Sequence, residues 1–402
     1  MRSLLVTTGY PWPADTGGKL RTRCIAEGLA GLGPLDVFVL GGSEPAGGPD
    51  DPLPLSRLGW AAPTPQRERP VDLAKWLICS RRPRELSCRD GEQAGSAFGR
   101  WVRGRSYDLI WFAGVESLLT LGGEVSGRRI LDLWDLEDHK INGELSVRGM
   151  HAPQSGGWRR RARRTQLRVN RRRWRRTQTA AVARVDAVAV CSGVDAERLG
   201  AEHSFVVPNG YPTPPVPLGR ASAGAPPTVS FVGDLTYLPN LDAAHHLALD
   251  VAPELRARID GVQIRLVGRS HSARRLQDPP RVVVTGHVDD LDEELATADV
   301  AAVPIRFGGG TRLKVLEAFA HRIPVVSTGI GAEGLGARDG RELLLADTPA
   351  DFAAACARVL TDDGLRAALA DAGQALHQAQ FTPHRVATRV AEVVRSVLVD
   401  RG

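Results

Sequence analysis

The sequence predicts an α/β protein built from two doubly wound parallel sheets that face each other across a cleft. Three observations lead there. The chain has 402 residues, more than one hydrophobic core usually organises. Short runs rich in Val, Ile and Leu recur without polar alternation, as strands buried on both faces of a parallel sheet do. Helix-like segments separate these runs, and the alternation occurs twice.

The first series of runs is Leu4–Thr8, Asp36–Leu40, Asp108–Phe112, Arg129–Trp134, Ala187–Cys191 and Ser204–Val207. The second is Thr228–Val232, Gln263–Val267, Arg281–Thr285, Val300–Val303, Pro324–Ser327 and Glu342–Leu345. Helical spacing marks Gly18–Leu32, Gln166–Arg184, Leu241–Leu255, Leu291–Ala298, Thr311–His321 and Asp351–Val359. Pro212–Pro227 is punctuation without periodicity and divides the two series. The expected domains are therefore 1–212 and 213–382. A last helix, Pro383–Val399, has valines at 386, 390, 393, 394 and 397. Residues 41–70 are rich in Pro and Gly and read as a loop excursion inside the first domain.

Composition narrows the class. The hydrophobic fraction of 43% and charged fraction of 24% are those of a soluble globular protein. No apolar run approaches the ~20 residues of a membrane span. The start, Met-Arg-Ser-Leu-Leu-Val-Thr-Thr-Gly, reads as a buried strand and not as a signal peptide, so a cytoplasmic location is expected. Cys24, Cys79, Cys88, Cys191 and Cys356 are scattered and suggest neither a disulfide framework nor a zinc site. The net charge of +6 is local: eleven arginines lie within 158–176, and without them it would be −5.

In open α/β sheets ligands bind beyond the carboxyl ends of the strands. Two strand-to-helix turns stand out. In the first, Gly17-Gly18 opens a helix after a proline-rich loop, where bare N–H groups and the helix dipole suit an anion. A plain tight turn is the competing reading. The second is Gly308-Gly-Gly-Thr-Arg-Leu-Lys-Val-Leu-Glu317. Thr311 is an N-cap candidate. Arg312 and Lys314 place two cations at a helix start, which the dipole disfavours unless an anion lies between them. Gly309 and Gly310 line the approach, and Glu317 follows Lys314 by three residues. A carboxylate there suits paired ribose hydroxyls while the cations hold a diphosphate. A Lys314–Glu317 surface ion pair is the alternative.

These segments resemble the retaining glycosyltransferases of the GT-B fold, often called glycosyl transferases group 1. The likeness spans most of the chain. It also rests on Val207-Pro-Asn-Gly210, Ser230-Phe-Val-Gly233, Val267-Gly268, Gly286-His-Val288, Ala298-Asp-Val300, Val303-Pro304, Pro324-Val-Val326 and Gly331-Ala-Glu-Gly-Leu335. The resemblance implies transfer from a nucleotide diphosphate sugar as donor substrate, with retention, without metal and with no cofactor. It places Glu317 on the ribose and Lys314 near the diphosphate, with Arg312 beside it. Gly17-Gly18 would lie near the phosphates and Gly308–Thr311 along the donor sugar. The last helix would cross back onto the first domain. An epimerase or phosphorylase of the same fold, or a non-catalytic scaffold, are the other readings.

The chain departs from the family pattern at three places. Gly309 stands where many members carry a second glutamate. Gly233–Asn240 holds no basic residue where many have Arg and Lys. Trp134 stands where a histidine often ends a first-domain strand. Asp135, Glu137 and His139 follow Trp134 closely as candidates to contact acceptor or donor, with Asp135 and His139 the candidates for a catalytic role; a solvated loop is the alternative. The arginine run Trp158–Arg176 has Leu167, Trp174 and Ala181 at a spacing of seven. It reads as the solvated face of a packed helix or as a contact for an anionic acceptor or a membrane surface. No nucleic-acid partner is expected, because no recognised module supports one.

Overall fold

The computed structural model describes residues 1–41, 53, 55–65, 70–87, 89–147, 157–215, 218, 225–310 and 312–399. Two compact units divide the chain. The first comprises the residues up to Leu145, the stretch from the long helix Gly157–Val182 to Gly210, and the terminal helix Pro383–Val399. The second is Tyr211–Thr382. The break thus falls two residues before the one read from Pro212.

The first unit contains β1 (Ser3–Thr7), β2 (Leu35–Leu40), β3 (Arg57–Ala61), β4 (Thr64–Pro65), β5 (Arg89–Asp90), β6 (Leu109–Ala113), β7 (Arg128–Leu133), β8 (Ala187–Val190) and β9 (Ser204–Val206). Seven of these form a sheet in the order β3-β2-β1-β6-β7-β8-β9, with parallel pairing throughout. The short pair β4-β5 is antiparallel. Alternate residues serve opposite layers, as strand geometry requires. Leu4, Val6, Ile110 and Phe112 meet the layer holding Trp174 and Ala181 of the long helix. Leu5, Val37, Leu109 and Trp111 meet the first helix, Gly17–Ala30, and the terminal helix.

The terminal helix buries all five of the valines that its spacing singled out. It lies close against the first helix. A Cβ at Gly28 would stand 2.7 Å from the Ala387 carbonyl oxygen and from Val390 Cβ, so no larger residue fits between the two backbones.

Strand β3 corrects the reading of 41–70 as loop. Its Arg-Leu-Gly-Trp-Ala is an edge strand bonded to β2 alone, so it lacks the double-sided apolar signal of an interior strand. Residues 42–52, 54 and 66–69 of that stretch lie outside the described residues.

The second unit contains β10 (Thr228–Val232), β11 (Gln263–Val267), β12 (Val282–Gly286), β13 (Val300–Val303), β14 (Val325–Ser327) and β15 (Leu344–Leu345). They form a parallel sheet in the order β12-β11-β10-β13-β14-β15. Its core joins Val229, Phe231, Ile264, Leu266 and Val325 to helix residues such as Leu247, Leu316, Phe319 and Phe352. The strand order reverses between β10 and β13. Loops leaving the carboxyl ends of these two strands border the crevice where such sheets bind ligands. Among the described residues no helix is long and apolar enough to cross a membrane.

Candidate functional site

Both loops at that reversal carry candidate residues. The β13 loop ends in Gly308 and Gly310, with φ of 145° and 65°, backbone shapes that glycine adopts without a side-chain clash. The helix Leu313–Ala320 follows and is anchored by buried Val315, Leu316, Ala318, Phe319 and Ala320. Arg312, and not Thr311, takes the N-cap position. Thr311 lies outside the described residues.

Arg312 folds back over its own loop. Its Nη1 donates to the Gly309 carbonyl. A Cβ at Gly308 would sit 3.1 Å from the guanidinium, so glycine makes room for this fold. Arg312 Nε and Nη2 are buried with no hydrogen-bond partner among the described residues. Buried charged donors without acceptors are costly, and an anion would relieve that cost.

Lys314 and Glu317 do not form the ion pair that competed with a binding role. Lys314 Nζ donates to Asn240 Oδ1 at 2.7 Å, in the β10 loop, and stands 4.3 Å from the centre of the Phe231 ring. Glu317 Oε1 accepts from the Tyr211 hydroxyl at 2.7 Å. Burial pulls the Lys314 ammonium down to about 7; the nearby Arg312 charge acts the same way, against Glu317. Burial pushes the Glu317 carboxyl up to about 7, against the Tyr211 hydrogen bond and Lys314. Glu317 is 9% exposed, so a ligand reaches it only at the mouth of the turn.

Tyr211 escaped the sequence reading. It is held by its own backbone: its N–H donates to the Phe381 carbonyl at 2.8 Å, and its carbonyl lies 2.9 Å from His377 Nε2. Its place directly after Val207-Pro-Asn-Gly210 was the one available signal. Arg269, after β11, also went unnoticed. It reaches Asp234 at 3.3 Å and brings a cation to the β10 loop, which has none of its own.

The remaining candidates lie in the first unit. Gly17 and Gly18 begin the first helix, as the sequence suggested, and a Cβ at Gly18 would meet open space. Nothing in the unit itself therefore demands glycine at that position. Four residues on, Arg21 is buried in a fork with Asp132, with Nε 2.9 Å from Oδ2 and Nη2 2.5 Å from Oδ1. Its Nη1 also donates to the Val207 carbonyl and to Asn209 Oδ1. This ties the first helix to the end of β7. Asp135 follows that strand, and its Oδ2 lies 3.7 Å from Lys140 Nζ, which also holds Glu137 at 2.5 Å. His139 lies in the helix Glu137–Ser146, where a loop was the alternative reading. Both Asp135 and His139 are half-buried.

Residues 226–362, about a third of the chain, match the family model described as Glycosyl transferases group 1. The second unit carries a glycosyl transferases group 1 domain. Asn240, Arg312, Lys314 and Glu317 all lie inside the matched stretch of this domain. No curated protein sequence matches the chain.

Solved structures share the fold over its whole length. Sucrose-phosphate synthase from Thermosynechococcus elongatus superposes with a TM-score of 0.69 at 18% identity, covering 100% of both chains. HepE from Anabaena, in a complex with UDP, gives 0.63 at 16% identity, covering 98% of this chain and 100% of its own. The lipopolysaccharide outer core galactosyltransferase WaaB gives 0.60 at 12% identity, covering 98% and 99%. With its two parallel α/β sheets the chain has the fold of these structures, GT-B, and its second unit matches the group 1 family.

Proposed function

We propose that the chain moves a sugar from a nucleotide diphosphate sugar to an acceptor nucleophile, with retention at the anomeric carbon and without a metal ion. One observation carries the reading: Arg312 has two buried donors with no partner among the described residues, beside a glycine strap and Lys314, at the strand-order reversal of the group 1 domain. In this reading Arg312 and Lys314 neutralise the leaving diphosphate. Glu317, oriented by Tyr211, accepts the ribose hydroxyls. Gly309 and Gly310 run along the donor sugar, and Gly17-Gly18 approaches the phosphates. Asp135 and His139 serve the acceptor side. The UDP held by HepE is of the same chemical class as this donor.

A thermal-shift screen of UDP, GDP, ADP and dTDP sugars tests the donor class. One of them at about a hundredfold over its Kd is expected to add about 2.7 kcal/mol of stability. Inorganic pyrophosphate alone is expected to bind both wild type and Glu317→Gln, whereas the nucleotide advantage over pyrophosphate shrinks in the variant. Absence of stabilisation by every nucleoside diphosphate would sink the reading. Retention is checked by following the anomeric proton of the first product.

The Lys314 ammonium gives a pH prediction with a definite sign. Below about 7 it carries its charge in the free site; above that it is neutral, and binding a diphosphate must recruit a proton. Nucleoside diphosphate affinity therefore falls as pH rises past 7, by up to about tenfold per pH unit. Calorimetry in buffers of different ionisation enthalpy reads the proton uptake. Lys314→Arg stays charged throughout and flattens the profile.

A further inference from the structure

The arginine run, which the donor site leaves unused, supplies an interaction surface. The long helix Gly157–Val182 contains no Asp or Glu. At 100° per residue Arg161, Arg168, Arg172, Arg175 and Arg176 fall within about 100° of arc, and they span about 22 Å along the axis. All five are exposed. None of the five guanidinium groups has a hydrogen-bond or ion-pair partner among the described residues.

Arg163, Arg164, Arg171 and Arg173, off this stripe, are occupied, while Arg160 is exposed like the stripe itself. Arg163 meets Glu144 at 2.8 Å, Arg171 holds Asn142, and Arg173 donates to the Trp76 and Leu77 carbonyls at 2.9 Å each. The opposite face buries Asn170, Trp174, Gln178 and Ala181. Arg168, Arg172 and Arg176 stand four residues apart, a like-charge spacing that weakens a helix left alone in water. Such a stripe makes physical sense beside an external anion.

A second observation selects the kind of anion. Arg173 fixes the end of the helix Pro70–Cys79 against the long helix, with its guanidinium 4.3 Å over the Trp76 ring. The next residue after Leu77 is Ile78, which is 83% exposed. Lys75, Arg81 and Arg82, all exposed, flank it in sequence. An aliphatic tip among cations is of no use to a soluble polyanion, and it suits the boundary between lipid headgroups and acyl chains.

We propose that the arginine stripe and Ile78 dock the first unit on a membrane surface that carries anionic lipid. This inference stands whether or not the donor-site reading holds.

Vesicle co-sedimentation tests it. The full chain is mixed with phosphatidylcholine vesicles, with or without about a third phosphatidylglycerol. Wild type is expected to pellet with the mixed vesicles, to stay in solution with phosphatidylcholine alone, and to be released as salt rises. Each arginine is expected to contribute about fivefold, so Arg161→Gln with Arg168→Gln and Arg172→Gln loses about a hundredfold. Arg168→Gln alone, about fivefold down, serves if the triple variant melts early. Ile78→Ser is expected to lose about tenfold at unchanged charge. No pelleting at about 0.15 M salt, or equal pelleting of wild type and the arginine variants, overturns the proposal. Arginine-dependent pelleting with no effect of Ile78→Ser removes Ile78 from the contact and overturns the proposal that the two dock together.

Discussion

Arg312→Ala and Lys314→Ala are each expected to lower the rate of sugar transfer by about a hundred- to a thousandfold, the usual loss when one preorganised stabiliser of developing charge is removed. The reason is local. Arg312 Nε and Nη2 have no partner among the described residues, and Lys314 Nζ is held by a neutral amide and an aromatic ring. Neither cation is spent on a carboxylate, so both remain for the diphosphate. Folding is not expected to suffer. Arg312 ties only its own loop, and Lys314 gives up one hydrogen bond to Asn240, a net loss of about 1 kcal/mol. Steady-state kinetics with the donor found by the screen, beside thermal melting of each variant, decides the matter. Near-normal turnover in both folded variants would remove the diphosphate from this turn. A rise in KM alone, with kcat untouched, would limit the two residues to ground-state binding.

The largest stability effect is expected at the opposite end of the chain's chemistry. Arg21 is 2% exposed and Asp132 fully buried, and the two are joined by a fork of hydrogen bonds. Removing one member of such a pair leaves an uncompensated charge in the core and costs about 3–5 kcal/mol. Asp132→Ala is therefore expected to lower the unfolding free energy read from a urea titration by that amount, moving the midpoint down at an unchanged slope. Arg21→Met with Asp132→Leu, which removes both charges, is expected to recover much of the loss. A single variant as stable as wild type would show that the fork holds nothing up. The carbonyl of Val207 and the amide of Asn209 share Arg21, so the loss would reach beyond β9 as well as β7.

The parts legible in the sequence were those where one physical demand dominates. Runs such as Leu4–Thr8 and Val300–Val303 are apolar on both faces because they lie inside the sheets, and nothing else asks for that pattern. The valines of the terminal helix were legible for the same reason. The glycine-rich turn was readable because glycines beside two cations are a poor way to start a helix. Edge strand β3 was hidden, since its Arg57 and Trp60 answer to solvent. Tyr211 was hidden because its partner Glu317 is 106 residues away, and no local spacing reports such a bond. Asp135 and His139 gave only polar character at the end of a strand, and polarity alone does not separate a helix start from a loop. Thr311 illustrates a finer limit. A threonine after three glycines is a sound N-cap by local rules, yet the helix begins one residue later.

The terminal helix has a bearing on how the protein is made. Its valines complete a core whose other members lie between Leu5 and Val207. A ribosome delivers those residues first, then the whole of Tyr211–Thr382, and only afterwards Pro383–Val399. During most of synthesis the first helix therefore presents Ile25, Gly28 and Leu29 without their final cover. The later-made unit can close its own core while the earlier-made one waits, so the order of maturation runs against the order of translation.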